Sequence, residues 1–204
     1  MPDSHDKPVP LKCTSCQRPM DSPVCCQDCH TLYPVGTSED HFKLFGLPRR
    51  YALDLDDLHQ RFLSISRNIH PDFFGAQAAE MQALSLRLSA QVNEAYATLK
   101  DPVLRAEYLL ESTGGKSSAK DKSVPGELLA EVMLMREAIE DARAAADSET
   151  LAARRAEIEA RQAATLEKVA ALCGRLDEQS ENVQTELRQH LNAMRYLGNL
   201  LATL

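Results

Sequence analysis

The distribution of proline constrains the fold of this chain more than any other feature. All ten prolines of the 204-residue chain lie at or before Pro125, whereas the last 79 residues contain none and include 16 alanines. Proline disrupts the interior of a helix and alanine is the best helix former, so the last part can form long uninterrupted helices. The sequence therefore predicts a helical domain over residues 126–204, preceded by a part that turns divide.

Apolar residues in the last part recur at helical spacing in three blocks. The blocks predict helices over about 126–146, 149–174 and 180–203. Three amphipathic helices joined by short connections predict a three-helix bundle. The core stripe expected on the first helix consists of Leu128, Val132, Met135, Ile139 and Ala142.

The first of these helices has more apolar residues than one face can hold. Leu129, Met133 and Leu134 lie off its core stripe. Either another helix covers them or they form a partner-binding surface, where methionine suits an adaptable contact. The pattern alone leaves both readings open.

Four cysteines near the start of the chain have the spacing of metal ligands. They form two CxxC pairs, Cys13–Cys16 and Cys26–Cys29, separated by nine residues. Tetrahedral zinc accepts four thiolates, and each CxxC turn supplies two from one tight loop. A segment of about 25 residues cannot bury enough apolar surface to fold alone, and bound zinc supplies the missing stabilisation. The pattern predicts a structural zinc site.

Two neighbours leave the ligand set partly open. Cys25 and His30 flank the second pair, and either could replace Cys26 or Cys29. Disulfides or redox chemistry are the other common use of CxxC pairs, but no thioredoxin-like strand pattern surrounds them. A closed site of four thiolates has no vacant position for a substrate, so it does not indicate catalysis.

The middle of the chain predicts two long helices joined by a short polar turn. Apolar residues at helical spacing cover residues 55–69 and again about 76–99. His70 precedes Pro71, and a residue before proline avoids the α-helical conformation, so the first helix must end there. We expect the helices to be antiparallel, with His70, Pro71 and Asp72 on the turn between them.

Other helix boundaries follow from capping residues. Asp54 and Asp147 are predicted to begin helices as N-caps. Gly46 is predicted to end a short helix that begins at about residue 41, and Asp101–Pro102 to begin another.

The polar turn and its surroundings resemble the HscB family of J-domain co-chaperones. A His-Pro-Asp tripeptide between two helices is the signature of a J-domain. The segments FKLFGLP (42–48), NEAY (93–96), LKDP (99–102) and RAEYLL (105–110) resemble that family as well. The resemblance covers about residues 40–204, and the CxxC pairs resemble the zinc-binding extension of some members.

The resemblance implies an all-α fold with four parts. A zinc-ribbon-like segment would cover 1–39, a J-domain built on a helical hairpin 40–112, a linker 113–125, and a three-helix scaffold-binding domain 126–204. The linker overlaps the sequence STGGKSSAKDKS, whose glycine, serine and lysine content is typical of a flexible connection.

The resemblance also implies a chaperone-binding site. J-domains dock on the ATPase domain of a DnaK/HscA-class chaperone and promote ATP hydrolysis. Here Asp72 would pair with an arginine of the chaperone, Pro71 would fix the turn, and His70 would orient it. Arg61 and Arg67 would form the basic helix face that steers the encounter.

A second site is implied for an IscU-type iron–sulfur scaffold. HscB proteins hold the scaffold with the first helix of the C-terminal domain and an aromatic residue of the last helix. Transferred position by position, the site here consists of Leu129, Met133, Glu137, Asp141 and Tyr196.

Three positions differ from the family pattern. Phe73 follows the tripeptide where a basic residue is frequent, Ala130 replaces a frequent methionine, and Leu134 replaces a frequent glutamate. We expect Phe73 to affect the strength of chaperone docking but not its location. We expect Ala130 and Leu134 to make the scaffold contact less polar.

The implied function is that of a non-enzymatic co-chaperone. It would bind the scaffold, deliver it to the chaperone and stimulate ATP hydrolysis there. The sequence has no GxxxxGK[ST] loop for a nucleotide and no nucleophile–base pattern, so structural zinc is the cofactor expected.

The alternative function is a zinc-ribbon adaptor that binds RNA or a transcription component. Such a protein needs a basic surface near its zinc, but only Lys7, Lys12 and Arg18 are available there, against five acidic residues. The net charge of −7 also disfavours nucleic acid as a partner. The first twelve residues lack the apolar core of a secretory signal, and no apolar run is long enough to cross a bilayer, so a cytoplasmic location is expected.

Overall fold

The computed structural model describes residues 11–36 and 39–204. Residues 1–10 and 37–38 lie outside this description, and with them part of the predicted zinc segment and Lys7 of the alternative interpretation. The chain divides after Asp101 into two compact units, residues 1–101 and 102–204. By this division the zinc segment shares a unit with the predicted helical hairpin, and residues 102–112 belong to the second unit.

The first unit combines a small β-hairpin with three helices. Strands β1 (Leu11–Lys12) and β2 (Pro19–Met20) pair antiparallel, with Leu11 opposite Met20. Helices α1 (His41–Leu44), α2 (Leu55–Asn68) and α3 (Ala79–Lys100) follow, and a 3-10 turn over Pro71–Phe74 joins α2 to α3. The predicted turn between two long helices is confirmed.

Helix α2 begins where its sequence predicts, whereas α3 begins at Ala79, about three residues later than predicted. The Asp54 carboxylate accepts hydrogen bonds from the backbone N–H groups of Asp56 and Asp57, which makes it the N-cap of α2. The core of this unit is formed by apolar side chains from all three helices and their ends. It includes Phe42, Phe45, Leu58, Ile65, Ile69, Leu88, Val92, Ala95 and Leu99.

The cysteine-containing segment packs closely against helix α1 and the residue Gly46 that follows it. Ser22 Oγ donates a buried hydrogen bond of 2.7 Å to the carbonyl oxygen of Leu44. Gly46 has a φ of +62°, and a Cβ atom at this position would lie 2.3 Å from the carbonyl oxygen of Asp21. Farther along, Gln91 Nε2 donates a 3.1 Å hydrogen bond to the carbonyl oxygen of Gly36. The segment is therefore part of the first unit and not a separate module.

The second unit consists of four helices and the segment that connects the first two. These are α4 (Pro102–Ser112), α5 (Leu128–Ala144), α6 (Ser148–Cys173) and α7 (Glu181–Leu201). The last three form the predicted bundle, and α4 packs on α6 and α7. Among the described helices, none is long and apolar enough to span a membrane.

Residues 113–125, predicted to be a linker, are hydrogen-bonded to α7. Gln184 Nε2 donates to the carbonyl oxygen of Thr113 at 3.1 Å. The buried Asn192 side chain donates to the carbonyl oxygens of Asp121 and Ser123 at 3.0 and 2.8 Å. The glycine and serine content predicts a flexible segment. In the structure, however, side chains of α7 donate hydrogen bonds to three of its backbone carbonyl oxygens.

A glycine substitution tests the close approach of the cysteine segment to Gly46. We expect Gly46→Ala to lower the free energy of unfolding of the first unit by at least about 2 kcal/mol, because a side chain is strained at positive φ and meets the Asp21 carbonyl. Thermal or urea unfolding of the full-length protein measures this change.

Gly36→Ala is the matched control for this experiment. A Cβ atom at Gly36 would have no neighbour within 4 Å, so its effect on stability should be small. Equal stability of the two variants would show that the segment does not approach Gly46 closely.

Candidate functional site

Four cysteines of the first unit form a compact cluster. The Sγ atoms of Cys13, Cys16, Cys26 and Cys29 all lie within 4.8 Å of one another. The Cys13–Cys29 and Cys16–Cys26 sulfur pairs are 3.5 and 3.6 Å apart. Four thiolates at ~2.3 Å from a tetrahedral zinc ion would be about 3.8 Å apart, so the cluster fits such an ion.

Each CxxC pair lies on a turn with the same backbone hydrogen-bond pattern. The N–H of Gln17 donates to the carbonyl oxygen of Cys13 at 2.8 Å, and the N–H of His30 donates to that of Cys26 at 2.9 Å. Gln17 and His30 both adopt positive φ, 63° and 57°. The two turns, here called the first and second knuckles (residues 13–18 and 26–31), thus direct their thiols to one point.

The protein environment already favours thiolate at part of the cluster. A hydrogen bond from the Tyr33 hydroxyl, 3.1 Å from Cys13 Sγ, lowers the pKa of Cys13 to about 6. For Cys16 the hydrogen bond from the Arg18 backbone opposes burial and the neighbouring thiols, which raise its pKa to about 12. A divalent cation would favour thiolate at all four positions.

The two alternative ligands lie outside the cluster. Cys25 is buried, and burial raises its pKa to about 12, which keeps it a neutral thiol. The imidazole Nδ1 of His30 lies 2.8 Å from Oδ1 of Asn68, at the end of α2. Among the described residues, the structure therefore selects Cys26 and Cys29.

Two cysteine variants test the ligand set. We expect the purified protein to hold one equivalent of zinc, Cys26→Ser to lose it and Cys25→Ser to retain it, because only Cys26 faces the other thiols. Elemental analysis of the variants, with circular dichroism to verify the helices, provides the measurement. Full zinc in Cys26→Ser with loss in Cys25→Ser would reverse the assignment.

The His-Pro-Asp turn lies between α2 and α3 and exposes its carboxylate. The side chain of Asp72 is 89% exposed. The N–H of Asp72 donates to Nδ1 of His70 at 3.3 Å, so the histidine caps the 3-10 turn that Pro71 begins. The imidazole thereby contacts the backbone of the turn, while the carboxylate, whose Oδ2 lies 3.5 Å from the same Nδ1, stays accessible to donors from another protein.

Buried contacts on both sides hold this turn in place. Ile69 and Phe74 are 1% and 4% exposed, and they bracket the tripeptide. Ser85 Oγ on α3, itself buried, donates a 2.6 Å hydrogen bond to the carbonyl oxygen of Ile69. Ser89 Oγ lies 3.4 Å from the same oxygen. These serines were not singled out from the sequence, because a small polar residue in a helix does not reveal a distant carbonyl.

The two arginines predicted to form a basic face have different environments. Arg61 Nε donates to both oxygens of Asp57 at 3.0 Å, and its Nη1 donates to the carbonyl oxygen of Phe45 at 3.1 Å. Its charge is therefore largely compensated within the first unit. Arg67 is exposed in the last turn of α2, close to the His-Pro-Asp turn.

Helix α5 of the second unit carries an exposed apolar strip beside its core face. Val132, Met135 and Ile139 are buried, as predicted. Leu129, Met133 and Leu134 are 48%, 72% and 66% exposed, so in this unit no helix covers them. This observation excludes the reading in which another helix of the unit covers these residues, and the partner-binding surface stays a prediction.

The remaining residues predicted for the scaffold lie on α5 and α7. Glu137 and Asp141 are exposed and extend the four-residue spacing of Leu129 and Met133 along α5. Tyr196 is 39% exposed on α7, where it lines a small cavity with residues of the connecting segment and of α7 itself. The five positions belong to one unit.

Comparisons with known proteins give one consistent result. A family model described as the HSCB C-terminal oligomerisation domain matches residues 124–204. The co-chaperone protein HscB homolog of Bordetella pertussis is 38% identical over 123 residues, which cover 60% of this chain and 71% of that protein. The homolog of Burkholderia mallei is 35% identical over 158 residues, 77% of this chain and 89% of that protein.

Two solved structures are similar to this one. Chaperone HscB from Vibrio cholerae has a TM-score of 0.67 and 30% identity, covering 81% of this chain and 94% of its own. Human co-chaperone protein HscB has a TM-score of 0.74 and 24% identity, and the match covers 95% of this chain and 96% of the human chain. The human structure leaves only about 5% of this chain unmatched, so the likeness of fold extends into the cysteine segment. Together with the exposed His-Pro-Asp turn, these similarities show that the chain belongs to the HscB family of co-chaperones.

Proposed function

We propose that this co-chaperone binds an IscU-type iron–sulfur scaffold and stimulates the ATPase of a DnaK/HscA-class chaperone during cluster transfer. The observation that carries the proposal is the exposed Asp72 carboxylate on a turn that buried residues hold rigid. A rigid turn presents its carboxylate at little entropic cost on binding. We place this activity in the cytoplasm.

Asp72 is the residue we assign to the chaperone. A carboxylate that meets an arginine forms a charge-assisted, often bidentate pair, which sets orientation as well as affinity. His70 and Pro71 determine the direction of this carboxylate, and Arg67 adds a positive charge beside it. Arg61 contributes less, because Asp57 and the Phe45 carbonyl already occupy its guanidinium.

The apolar strip of α5 is the surface we assign to the scaffold. Leu129 and Met133 present apolar area, and Glu137 and Asp141 continue the strip with negative charge. Tyr196 supplies an aromatic contact from α7. Leu134, exposed on the same helix, makes this surface more apolar than glutamate would.

The metal that fits the four thiolates is zinc in this proposal, and it has a structural role. A closed four-thiolate site offers no open coordination position, so we assign no catalytic role to this metal. The effect of the chain on ATP hydrolysis is exerted on the chaperone.

The carboxylate variant Asp72→Asn tests the assignment to the chaperone. We expect stimulation of the chaperone ATPase to fall at least about tenfold, because an amide cannot form the charge-assisted pair with arginine. Stability should change little, since the side chain is exposed. A steady-state ATPase assay with the cognate chaperone measures the effect.

Asp56→Asn is a matched control for this assay. It makes the same chemical change at an exposed residue in the first turn of α2, at the opposite end of that helix from the tripeptide. Undiminished stimulation by Asp72→Asn would contradict the docking model.

The double variant Leu129→Ala/Met133→Ala tests the scaffold surface. We expect calorimetry to show scaffold affinity reduced about tenfold or more, because two exposed apolar contacts are lost. Stimulation of the chaperone without scaffold should be unchanged, because the His-Pro-Asp turn lies in the other unit.

Leu86→Ala is the control for the scaffold experiment. It removes an apolar side chain that is 59% exposed on α3, a helix of the first unit. If scaffold affinity is the same in the double variant, in Leu86→Ala and in the unaltered protein, α5 does not form the scaffold site.

A further inference from the structure

A cavity of about 620 Å³ lies in the first unit between the second knuckle and the His-Pro-Asp turn. His30 and Leu32 line it from the cysteine segment, Arg67 from the end of α2, and Phe73 from the turn. Gln77 and Met81 complete the wall on the side of α3. The cavity therefore joins two features that the sequence places about 40 residues apart.

Hydrogen bonds hold the backbone on both sides of the cavity. On one side, the knuckle backbone is fixed by the hydrogen bond from His30 N–H to Cys26, and the imidazole contacts Asn68 at 2.8 Å. On the other side, the N–H of Phe73 donates to the carbonyl oxygen of His70 at 3.0 Å, and the ring of Phe73 lies edge-on to that imidazole, 6.3 Å between centroids. A preformed cavity of this kind binds with little reorganisation.

Phe73 has no structural role that explains its exposure. Its side chain is 70% exposed, whereas its neighbour Phe74 is buried. A large aromatic side chain in water is energetically unfavourable, and a partner that covers it gains the corresponding free energy. Aromatic residues are enriched among those that dominate protein interfaces.

The chemistry of the lining defines what the cavity can accept. Leu32, Phe74 and Met81 provide an apolar floor, and the exposed Arg67 provides a positive charge at the rim. None of the described lining residues is acidic. The complement of this surface is an apolar side chain flanked by a carboxylate.

We propose that this cavity is a second part of the chaperone-docking surface, and that it receives an apolar side chain flanked by an acidic residue on the chaperone's ATPase domain. The inference rests on the proposed function, because it takes the partner of Asp72 as the occupant. Phe73 follows Asp72 directly, and consecutive Cα atoms are ~3.8 Å apart. A protein that docks on the Asp72 carboxylate therefore also reaches the rim of the cavity.

This docking surface gives the cysteine segment a function beyond its own folding. The second knuckle forms a wall of the cavity, so the segment contributes to chaperone affinity without contributing to catalysis. Phe73 fits the same interpretation. Where a basic residue is frequent in the family, this chain has an aromatic contact, and Arg67 retains the positive charge nearby.

Direct binding of the full-length protein to the ATP-bound cognate chaperone tests the proposal. We expect Phe73→Ala to raise the Kd about tenfold, as for loss of an aromatic anchor. His30→Gly, which keeps the positive φ without strain, should raise it severalfold. Gln77→Glu should also weaken binding by repelling the carboxylate, whereas Gln77→Lys should not.

Three controls make the titration decisive. Leu86→Ala removes an exposed apolar side chain of α3 outside the cavity and should bind normally. Asp72→Asn measures the contribution of the His-Pro-Asp turn to the same binding. Zinc content and circular dichroism verify that each variant retains its fold. We expect the fold to be retained in the Phe73 and Gln77 variants because both side chains are exposed.

The possible outcomes separate this inference from the proposed function. Weaker chaperone binding by Phe73→Ala, His30→Gly and Gln77→Glu supports the inference. If these three bind normally while Asp72→Asn does not, the cavity takes no part in docking and only the inference is overturned. If they lose affinity for the scaffold instead, the cavity has a different occupant and the inference is again overturned. Absence of binding by the unaltered protein would overturn both.

Discussion

A buried hydrogen bond from Ser85 Oγ to the carbonyl oxygen of Ile69 anchors the start of the exposed turn of the first unit. This bond fixes the end of α2 against α3, and it satisfies an acceptor that would be costly to bury alone. Ile69 and Phe74 are buried on either side, so the four residues between them, 70–73, lie at the surface. The same constraint that buries two apolar side chains therefore presents the Asp72 carboxylate to solvent.

The cysteine segment is integrated into the unit that carries this turn. Its Ser22 and Asp21 contact the end of α1 and Gly46, and its His30 contacts Asn68 at the end of α2. A segment attached at several points can form a wall of the cavity, whereas a segment on a free tether could not hold a cavity open. The positive φ values at Gln17 and His30 show the local cost of directing four thiols to one point.

The second unit shows how an exposed apolar strip can coexist with a buried helical core. Val132, Met135 and Ile139 occupy the buried side of α5, which leaves Leu129 and Met133 exposed without weakening the core. The segment before α5 is bound to α7 through Asn192, so the exposed strip begins from a fixed point within this unit. An exposed apolar strip on a rigid helix loses little entropy on binding.

The sequence by itself determined the local features of this protein. Helical periodicity, the Asp54 cap, the break at His70–Pro71 and the CxxC spacing depend on neighbours within a few residues, and each predicted its element or ligand set. The tertiary structure decided which distant residues meet. The choice of Cys26 over Cys25, the Ser85 contact to Ile69, the binding of the glycine-rich connection to α7 and the cavity beside Phe73 all join residues far apart in sequence. Periodicity carries no information on such pairs, because it reports which face of an element is buried and not what covers it.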